Sequence, residues 1–459
     1  GSFKDMDVLE TLVSFACTSA SVDAILSQEA KKAGNALYFV EAKRKDNGLF
    51  DLDSILDEYL IVQHSVQNKD VAAVRVVENG IFASVCAMVF GNRLKAKIDT
   101  KLDLYALHPA SFLIESSMEN VPASWIKIGT ITDDEFSFNQ VNIDYEKAVE
   151  AYTHGLDFLY PVYQESDAKF KAILDTDEEA IGYRGPDVDE VRVVIPFFPG
   201  TNCEIDTKRA FEKAGAKVNV HGIRNLTPHD LTESIDAFCT LLDASYILAL
   251  PGGFSAGDEP DGSAKFIVNV LRNEKVKKSV EGLLKRDGLI LGICNGFQAL
   301  IKTGLIPYGE YRELDATDAT LAHNAIHRHI SAIVNTRITS NKSPWLTSIQ
   351  PGTCVQVPLS HGEGRLSVSE ERFDEWTRNG QVVFQYADPT GNATIDPRYN
   401  LNGSDYAIEG LISPDGRILG KMGHTERVQE NLYKNIPGMT DLPIFQNGVD
   451  YFRKTRRKQ

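Results

Sequence analysis

Two α/β domains in series are predicted, the second built on a doubly wound, mostly parallel sheet with an antiparallel edge. Three observations predict this. Between residues 191 and 305, short apolar runs alternate with stretches of helical period. The first of those runs, residues 191–198, is almost uninterruptedly apolar, as expected of a parallel strand covered on both faces. Between Gln164 and Glu190 the periodic pattern dissolves into Asp- and Glu-rich sequence with Gly182, Gly185 and Pro186. The expected boundaries are therefore a domain at 3–165, a linker at 166–189 and a domain at 190–459, within the roughly two to four domains that 459 residues allow.

In the first domain, residues 11–20 and 36–43 are rich in β-branched and aromatic residues and are expected as strands. Residues 22–32 read as a helix closed by Gly34, a suitable C′ residue. Leu52, Ile55, Leu56, Tyr59 and Leu60 follow the i, i+3, i+4, i+7, i+8 spacing of an amphipathic helix that starts near Asp51. A strand at 71–77 feeds a helix over 80–90, which Gly91-Asn92 stops. Strands near 111–115 and 125–130 precede a closing helix over 145–160.

In the second domain the strand at 191–198 is followed by a helix over 206–214 and a strand at 217–221. The alternation continues with a helix at 231–241, a strand at 246–250, helices at 263–273 and 276–285, and a strand at 288–293. Beyond residue 325 the texture turns β-rich, with segments at 328–339, 353–360, 381–387, 406–412 and 417–422 expected to add antiparallel strands to one edge. Ligands of such sheets bind at the carboxyl ends of the strands.

Charge and composition exclude several function classes. The formal charge is −16, from 48 basic and 64 acidic residues, a field that repels nucleic acid. The basic cluster Arg453-Lys454-Thr455-Arg456-Arg457-Lys458 reads as a solvated helix end. No apolar run reaches the roughly 18 residues of a membrane span, and no charged-then-apolar stretch stands at residue 1, so export is not expected. Phe3 begins in what reads as mid-protein sequence, so a fragment of a longer chain is expected. The six cysteines lie far apart without the CxxC spacing of a metal site, and no metal is expected. Cys86 and Cys239 fall in apolar helical patterns as small hydrophobes, and a reducing cytoplasm fits best.

Two turns carry the chemistry. Gly292-Ile293-Cys294-Asn295-Gly296 joins a strand to a helix expected over 297–305, the G-x-nucleophile-x-G elbow with cysteine as nucleophile. Its flanking glycines permit the tight turn, and the helix N-terminus favours a thiolate at Cys294. Pro251-Gly252-Gly253-Phe254-Ser255 follows another strand, where bare backbone N–H groups can face a developing oxyanion. A thiolate needs a base and the base needs an orienting carboxylate. His361-Gly362-Glu363 and His424-Thr425-Glu426 both qualify, since an i, i+2 spacing on extended chain puts both side chains on one face. The residues alone leave both open.

Gly292-Ile293-Cys294-Asn295-Gly296-Phe297-Gln298 resembles the nucleophile loop of triad-type glutamine amidotransferases. Four further motifs narrow the likeness: Phe198-Pro199-Gly200-Thr201-Asn202-Cys203-Glu204, Pro251-Gly252-Gly253-Phe254-Ser255-Ala256-Gly257-Asp258, Ser360-His361-Gly362-Glu363-Gly364-Arg365 and Gly423-His424-Thr425-Glu426-Arg427. In this order they resemble the C-terminal half of the phosphoribosylformylglycinamidine synthases in their long single-chain form. Leu12-Val13-Ser14-Phe15-Ala16 and Phe90-Gly91-Asn92 carry a weaker likeness of residues 1–165 to the ligase-type domain, similar to aminoimidazole ribonucleotide synthase, that precedes the glutaminase.

The resemblance implies a catalytic Cys294, His424 as base with Glu426 as orienter, and His361 as an accessory residue. It implies oxyanion donors around Gly253, Phe254 and Asn295, and Gln298 seating the substrate glutamine. Thr425 stands where many members carry proline. Ammonia made this way passes internally to an ATP-activated formylglycinamide ribonucleotide in the family. ATP and Mg²⁺ are expected of the full-length enzyme and not of this chain, whose expected partner is the N-terminal ligase region of the same polypeptide. Glu78-Asn79-Gly80 is where a glycine-rich substrate loop would lie. The competing classes are a cysteine hydrolase or chaperone-like protein on a similar sheet, and an inactive scaffold. Asn295 occupies the position where the former places histidine, and retention of Cys294, His424 and Glu426 opposes the latter.

Overall fold

A computed structural model of the chain describes residues 2–3, 6–7, 12–21, 25–255, 263–315, 317–429, 432–433, 436 and 438–453. It divides into two compact units, Gly1–Tyr160 and Pro161–Gln459.

The first unit is a seven-stranded sheet in the order Ala73–Val76, Phe112–Ser116, Ala36–Val40, Ile126–Thr132, Lys95–Ile98, Ser137–Phe138, Val141–Asn142. Its alternation sorts side chains onto two faces. Leu37 and Phe39 pack with Ile81, Val85 and Val89 of the helix Gly80–Phe90, whereas Tyr38 and Val40 pack with Val62 of the helix Leu52–Gln67.

Several expectations in this unit are corrected. Residues 12–20 form no strand, because no neighbouring strand pairs with them; Leu12 and Phe15 are each 94% exposed. Residues 25–32 are irregular, and 22–24 lie outside the described residues. The buried Glu115 carboxylate accepts from the N–H groups of Lys31 (2.7 Å) and Lys32 (3.0 Å) and from Asn35 Nδ2 (2.7 Å), fixing the chain in a non-helical course. In the helix Leu52–Gln67 the buried stripe is Ile55, Glu58, Val62 and Ser65, while Leu52, Leu56 and Leu60 face solvent. Glu58 tolerates burial because its carboxylate accepts from Ser124 Oγ at 3.0 Å. The closing helix ends at His154, and the short strands Ser137–Phe138 and Val141–Asn142 before it carried too few residues to show a period.

In the second unit nine strands form one sheet: β1 (Arg192–Phe197), β2 (Lys217–Gly222), β3 (Ile247–Leu250), β4 (Leu289–Ile293), β5 (Ile330–Ile338), β6 (Cys354–His361), β7 (Val382–Ala387), β8 (Ile408–Ile412) and β9 (Ile418–Lys421). Their order is β2-β1-β3-β4-β9-β8-β7-β5-β6. Strands β2, β1, β3, β4 and β9 run parallel, and the remainder continue antiparallel from β9. This is the doubly wound sheet with an antiparallel edge. The helices Glu204–Lys213, Pro228–Asp243, Lys265–Leu271, Glu274–Lys285 and Asn295–Thr303 cover the parallel part. Strand β4 is wholly buried, as its unbroken apolar run requires.

The acidic stretch read as a linker runs extended along the second unit. Thr176 bridges to Ser340, Asp175 pairs with Arg337 at 2.5 Å, Glu178 N–H donates to Asn341 Oδ1 at 2.8 Å, and Arg184 pairs with Asp287. Its charges meet partners on the sheet unit, which composition alone does not reveal. The two-stranded antiparallel sheet of Thr320–His323 with Glu363–Ser367 and the helix Glu370–Arg378 were not anticipated. Among the described residues no helix is long and apolar enough to cross a membrane. Of the basic tail, only Arg453 is described; it donates to Gly215 O at 2.7 Å.

Candidate active site

Strand β4 ends at Ile293 and the helix Asn295–Thr303 begins two residues later, so Cys294 alone makes the turn, at φ 50° and ψ −105°. Such a conformation costs a non-glycine residue about 1–3 kcal/mol and persists only when its surroundings impose it. The flanking glycines show what imposes it. A Cβ on Gly296 would stand 2.1 Å from Leu250 O, and one on Gly292 would stand 2.8 Å from the Gly296 backbone. Cys294 N–H donates to Lys421 O at 2.8 Å, and its buried thiol donates to Ser360 O at 3.6 Å.

Strand β9 pairs with β4 in the register Ile293↔Lys421, which brings the residues after Lys421 to the same carboxyl edge as Cys294. There the chain enters a 3₁₀ turn, Thr425–Arg427, with His424 as its cap. His424 Nδ1 lies 2.6 Å from Glu426 Oε1, both side chains no more than 1% exposed. The carboxylate fixes the proton on Nδ1, by the logic of the bond, and leaves Nε2 as the lone pair; Nε2 is buried without a hydrogen-bond partner. The ring lies against Gly252, where a Cβ would come 2.6 Å from His424 Cε1.

His361-Gly362-Glu363 behaves differently. His361 Nδ1 faces Asn324 Oδ1 at 3.1 Å, while Glu363 Oε2 accepts from Ser263 N–H at 2.9 Å. Of the two histidines, then, it is His424 that meets its own glutamate, and it does so in a 3₁₀ turn where extended chain was expected. Full burial, with the charges of His424 and His329 adding to it, pushes His361 down to about 3.

The other expected site residues are placed as follows. Gln298 is buried with both ends of its amide bound: Oε1 accepts from Asn295 Nδ2 at 2.8 Å, and Nε2 donates to Glu363 O. Asn295 Oδ1 accepts from Ser255 Oγ at 2.7 Å. These amides tie the helix Asn295–Thr303 to the Ser255 turn and to the strand of Glu363. Thr201 and Gly253 form an antiparallel bridge in which Phe254 N–H donates to Gly200 O at 2.9 Å, removing Phe254 from the oxyanion donors. The bridge leaves the Gly253 N–H outside its pairing, and a φ of 145° aims it where only glycine is at ease. The Asn295 N–H, at the first helical position, has no i−4 partner. Residues 256–258 of the same motif lie outside the described residues.

The comparisons with known proteins bear on this geometry. A family model described as the CobB/CobQ-like glutamine amidotransferase domain matches residues 190–452. The chain belongs to this glutamine amidotransferase family. The phosphoribosylformylglycinamidine synthase subunit PurQ of Chlorobaculum tepidum is 34% identical over 243 residues, covering 53% of this chain and 91% of the relative. The subunit of the same name from Methanococcus maripaludis is 33% identical over 284 residues, covering 57% of this chain and 99% of the relative. A solved chain described as the structure of PurLQS from Thermotoga maritima aligns at 25% identity with a TM-score of 0.42, over 57% of this chain and 100% of that one.

Sequence reasoning missed two features of this amidotransferase. Cys203, quoted above only as part of a motif, is fully buried with its Sγ 3.9 Å from His424 Nδ1, and Arg427 donates to it at 2.8 Å. Burial, and then the Glu426 carboxylate, push this thiol up to about 12 against the pull of Arg427, so it stays protonated beside the His424–Glu426 pair. The second is a buried ion pair between Lys421 and Glu409, both 0% exposed. A lone lysine in the apolar run Ile418–Lys421 was its signal, since lysine is almost never buried unless paired.

Proposed function

We propose that the amidotransferase hydrolyses glutamine at Cys294 and supplies the ammonia for conversion of formylglycinamide ribonucleotide to its amidine. The observation that carries this reading is the strained Cys294 elbow on β4 beside the 2.6 Å His424–Glu426 pair after the adjacent, parallel β9. The relatives' shared name supports the acceptor.

His424 Nε2 takes the Cys294 proton and the thiolate attacks the carboxamide carbon of glutamine. The carbonyl oxygen becomes an oxyanion, for which the N–H groups of Gly253 and Asn295 are the donors. His424 returns the proton to the amide nitrogen, the C–N bond breaks and ammonia leaves a γ-glutamyl thioester. Water, deprotonated by His424, then attacks the thioester; Cys294 departs as thiolate and glutamate is released. Glu426 holds the ring and stabilises its charged form. Gln298 acts by holding the nucleophile helix against the strand of Glu363, and His361 is an accessory residue of that loop. Free ammonia in neutral water is protonated and loses its nucleophilic lone pair, which favours direct delivery to the acceptor half.

ATP and Mg²⁺ belong in this scheme to that half. The metal-capable group that assembles among the described residues is Cys203, His424 and Glu426, a thiol–imidazole–carboxylate set, whereas Mg²⁺ takes oxygen ligands. The set does not fit, and no step runs through a metal.

The test measures glutamate release by the chain and by Cys294→Ser, and maps the cysteine labelled by a diazo-ketone glutamine analogue. Release that survives Cys294→Ser, or a label on Cys203 or Cys354, refutes the nucleophile. With the acceptor half, ATP, Mg²⁺ and formylglycinamide ribonucleotide supplied, Cys294→Ser is expected to abolish amidine formation from glutamine but not from added ammonia. Equal loss of both refutes the assignment of roles.

A further inference from the structure

Lys421 ends β9 and Glu409 lies on its neighbour β8; their side chains are entirely buried and 3.2 Å apart. Removing two charges from water is costly, and apolar residues of the same volume commonly serve stability as well or better. What an ion pair adds is directed bonds, and here they converge on one loop. Lys421 Nζ donates to Gly423 O at 2.9 Å and to Thr425 Oγ1 at 3.1 Å, while Glu409 Oε1 accepts the Gly423 N–H at 2.5 Å. Both residues flanking His424 are therefore gripped. The backbone carbonyl of the same Lys421 accepts the Cys294 N–H at 2.8 Å.

Two further observations show that the grip is built for close approach. A Cβ on Gly423 would fall 2.8 Å from Glu409 Oε1 and 3.0 Å from Lys421 Nζ, so glycine is what lets the pair reach the main chain. His424 itself sits at φ −87° and ψ 76°, outside both helix and strand; its N–H donates to Pro358 O at 2.8 Å, and the pair holds the residues on either side of that single anchor.

We propose that the buried Lys421–Glu409 pair is a positioning device for the triad: its charged groups hold the loop of the base through Gly423 and Thr425, while the Lys421 carbonyl holds the nucleophile. The inference rests on the reading of Cys294 and His424 as nucleophile and base.

The test removes both charges at near-constant volume in the full chain, as Lys421→Met with Glu409→Gln, and then adds Thr425→Pro. Thr425 opens the 3₁₀ turn, where proline gives up the 3.2 Å bond from the Thr425 N–H to Gly423 O but fixes φ covalently in place of the lost grip. The double variant is expected to melt no lower than wild type. Its kcat for glutamine hydrolysis should fall by up to about 100-fold, the scale of a catalytic group misplaced by 1 Å, with KM nearly unchanged. Iodoacetamide alkylation of Cys294 should lose the part of its pH profile that His424→Ala also removes, and Thr425→Pro should recover both readouts in part. Wild-type turnover and an unchanged alkylation profile in the double variant overturn the proposal, as does a loss that tracks melting temperature and ignores Thr425→Pro. A wild-type chain that does not hydrolyse glutamine overturns the underlying reading instead, and the alkylation profiles still decide the positioning role.

Discussion

The turn at Cys294 predicts that removing its side chain to the last carbon separates stability from activity. Its φ of 50° and ψ of −105° strain any residue with a Cβ, by about 1–3 kcal/mol. Glycine reaches the same angles without strain, because they mirror an ordinary extended conformation. Cys294→Ala and Cys294→Gly lose the same buried thiol, so the difference between them isolates the Cβ. Against the strain stands the greater freedom of glycine in the unfolded chain, about 0.4–1 kcal/mol. Taking a strain of about 2 kcal/mol, Cys294→Gly is expected to be more stable than Cys294→Ala by about 1–1.5 kcal/mol, or about 2–4 °C in a domain of this size. Calorimetry of the whole chain reads the shift in the transition of the second unit, and both variants should be inactive in glutamate release. If Cys294→Gly melts clearly below Cys294→Ala, the elbow is not strained and its geometry is no argument for a nucleophile.

Other expected outcomes follow from neighbouring residues. His424→Ala should lower glutaminase activity by about 10²–10⁴-fold, whereas His361→Ala should leave the alkylation rate of Cys294 near wild type; the reverse ranking would move the base to His361. Gly296→Ala should destabilise by at least about 1–3 kcal/mol because its Cβ meets Leu250 O at 2.1 Å, while Gly282→Ala, whose Cβ nears only the end of Arg286, should be neutral or gain up to about 1 kcal/mol; equal melting temperatures would refute the packing argument. His361 is pushed down to about 3 from its ordinary 6.5, so below pH 6.5 the unfolded chain takes up a proton that the folded chain refuses. Stability should therefore fall from about pH 6.5 toward 3, by up to about 1.4 kcal/mol per pH unit, with no contribution above that window; urea midpoints of His361→Gln against pH should lack this component, and an unchanged slope would show that the ring titrates normally.

What was legible in the sequence depended on how far away the deciding partner lies. The elbow was legible because its cause is local: Gly292 and Gly296 must be bare for the chain to turn around Cys294 within five residues. The parallel strands were legible because burial on both faces leaves an unbroken apolar run, as in β4. Which histidine meets its own glutamate was not, since it turns on Asn324 capturing the ring of His361 from 37 residues upstream and on a 3₁₀ turn that folds Glu426 back onto His424. The unpaired N–H groups of the Gly-Gly turn were half legible. A Gly-Gly turn at a strand end announces exposed N–H groups, but only the bridge to Thr201, some 50 residues earlier, shows that the Phe254 N–H is taken and the Gly253 N–H is not. The same distance rule explains the helix Leu52–Gln67. Its spacing marked an amphipathic helix, yet the stripe that turns inward includes Glu58, whose partner Ser124 no periodicity encodes. Lys421 stands between these cases. A lysine in an apolar strand announces a buried partner without naming it, and the partner, Glu409, sits in the same turn-linked strand pair that leads into His424. That placement makes the charge informative. Left unpaired it would be one of the costliest groups in the core, so its position next to the strained turn at Cys294 and the Glu426-bound His424 is better explained by what its three bonds hold in place than by what its burial contributes to stability.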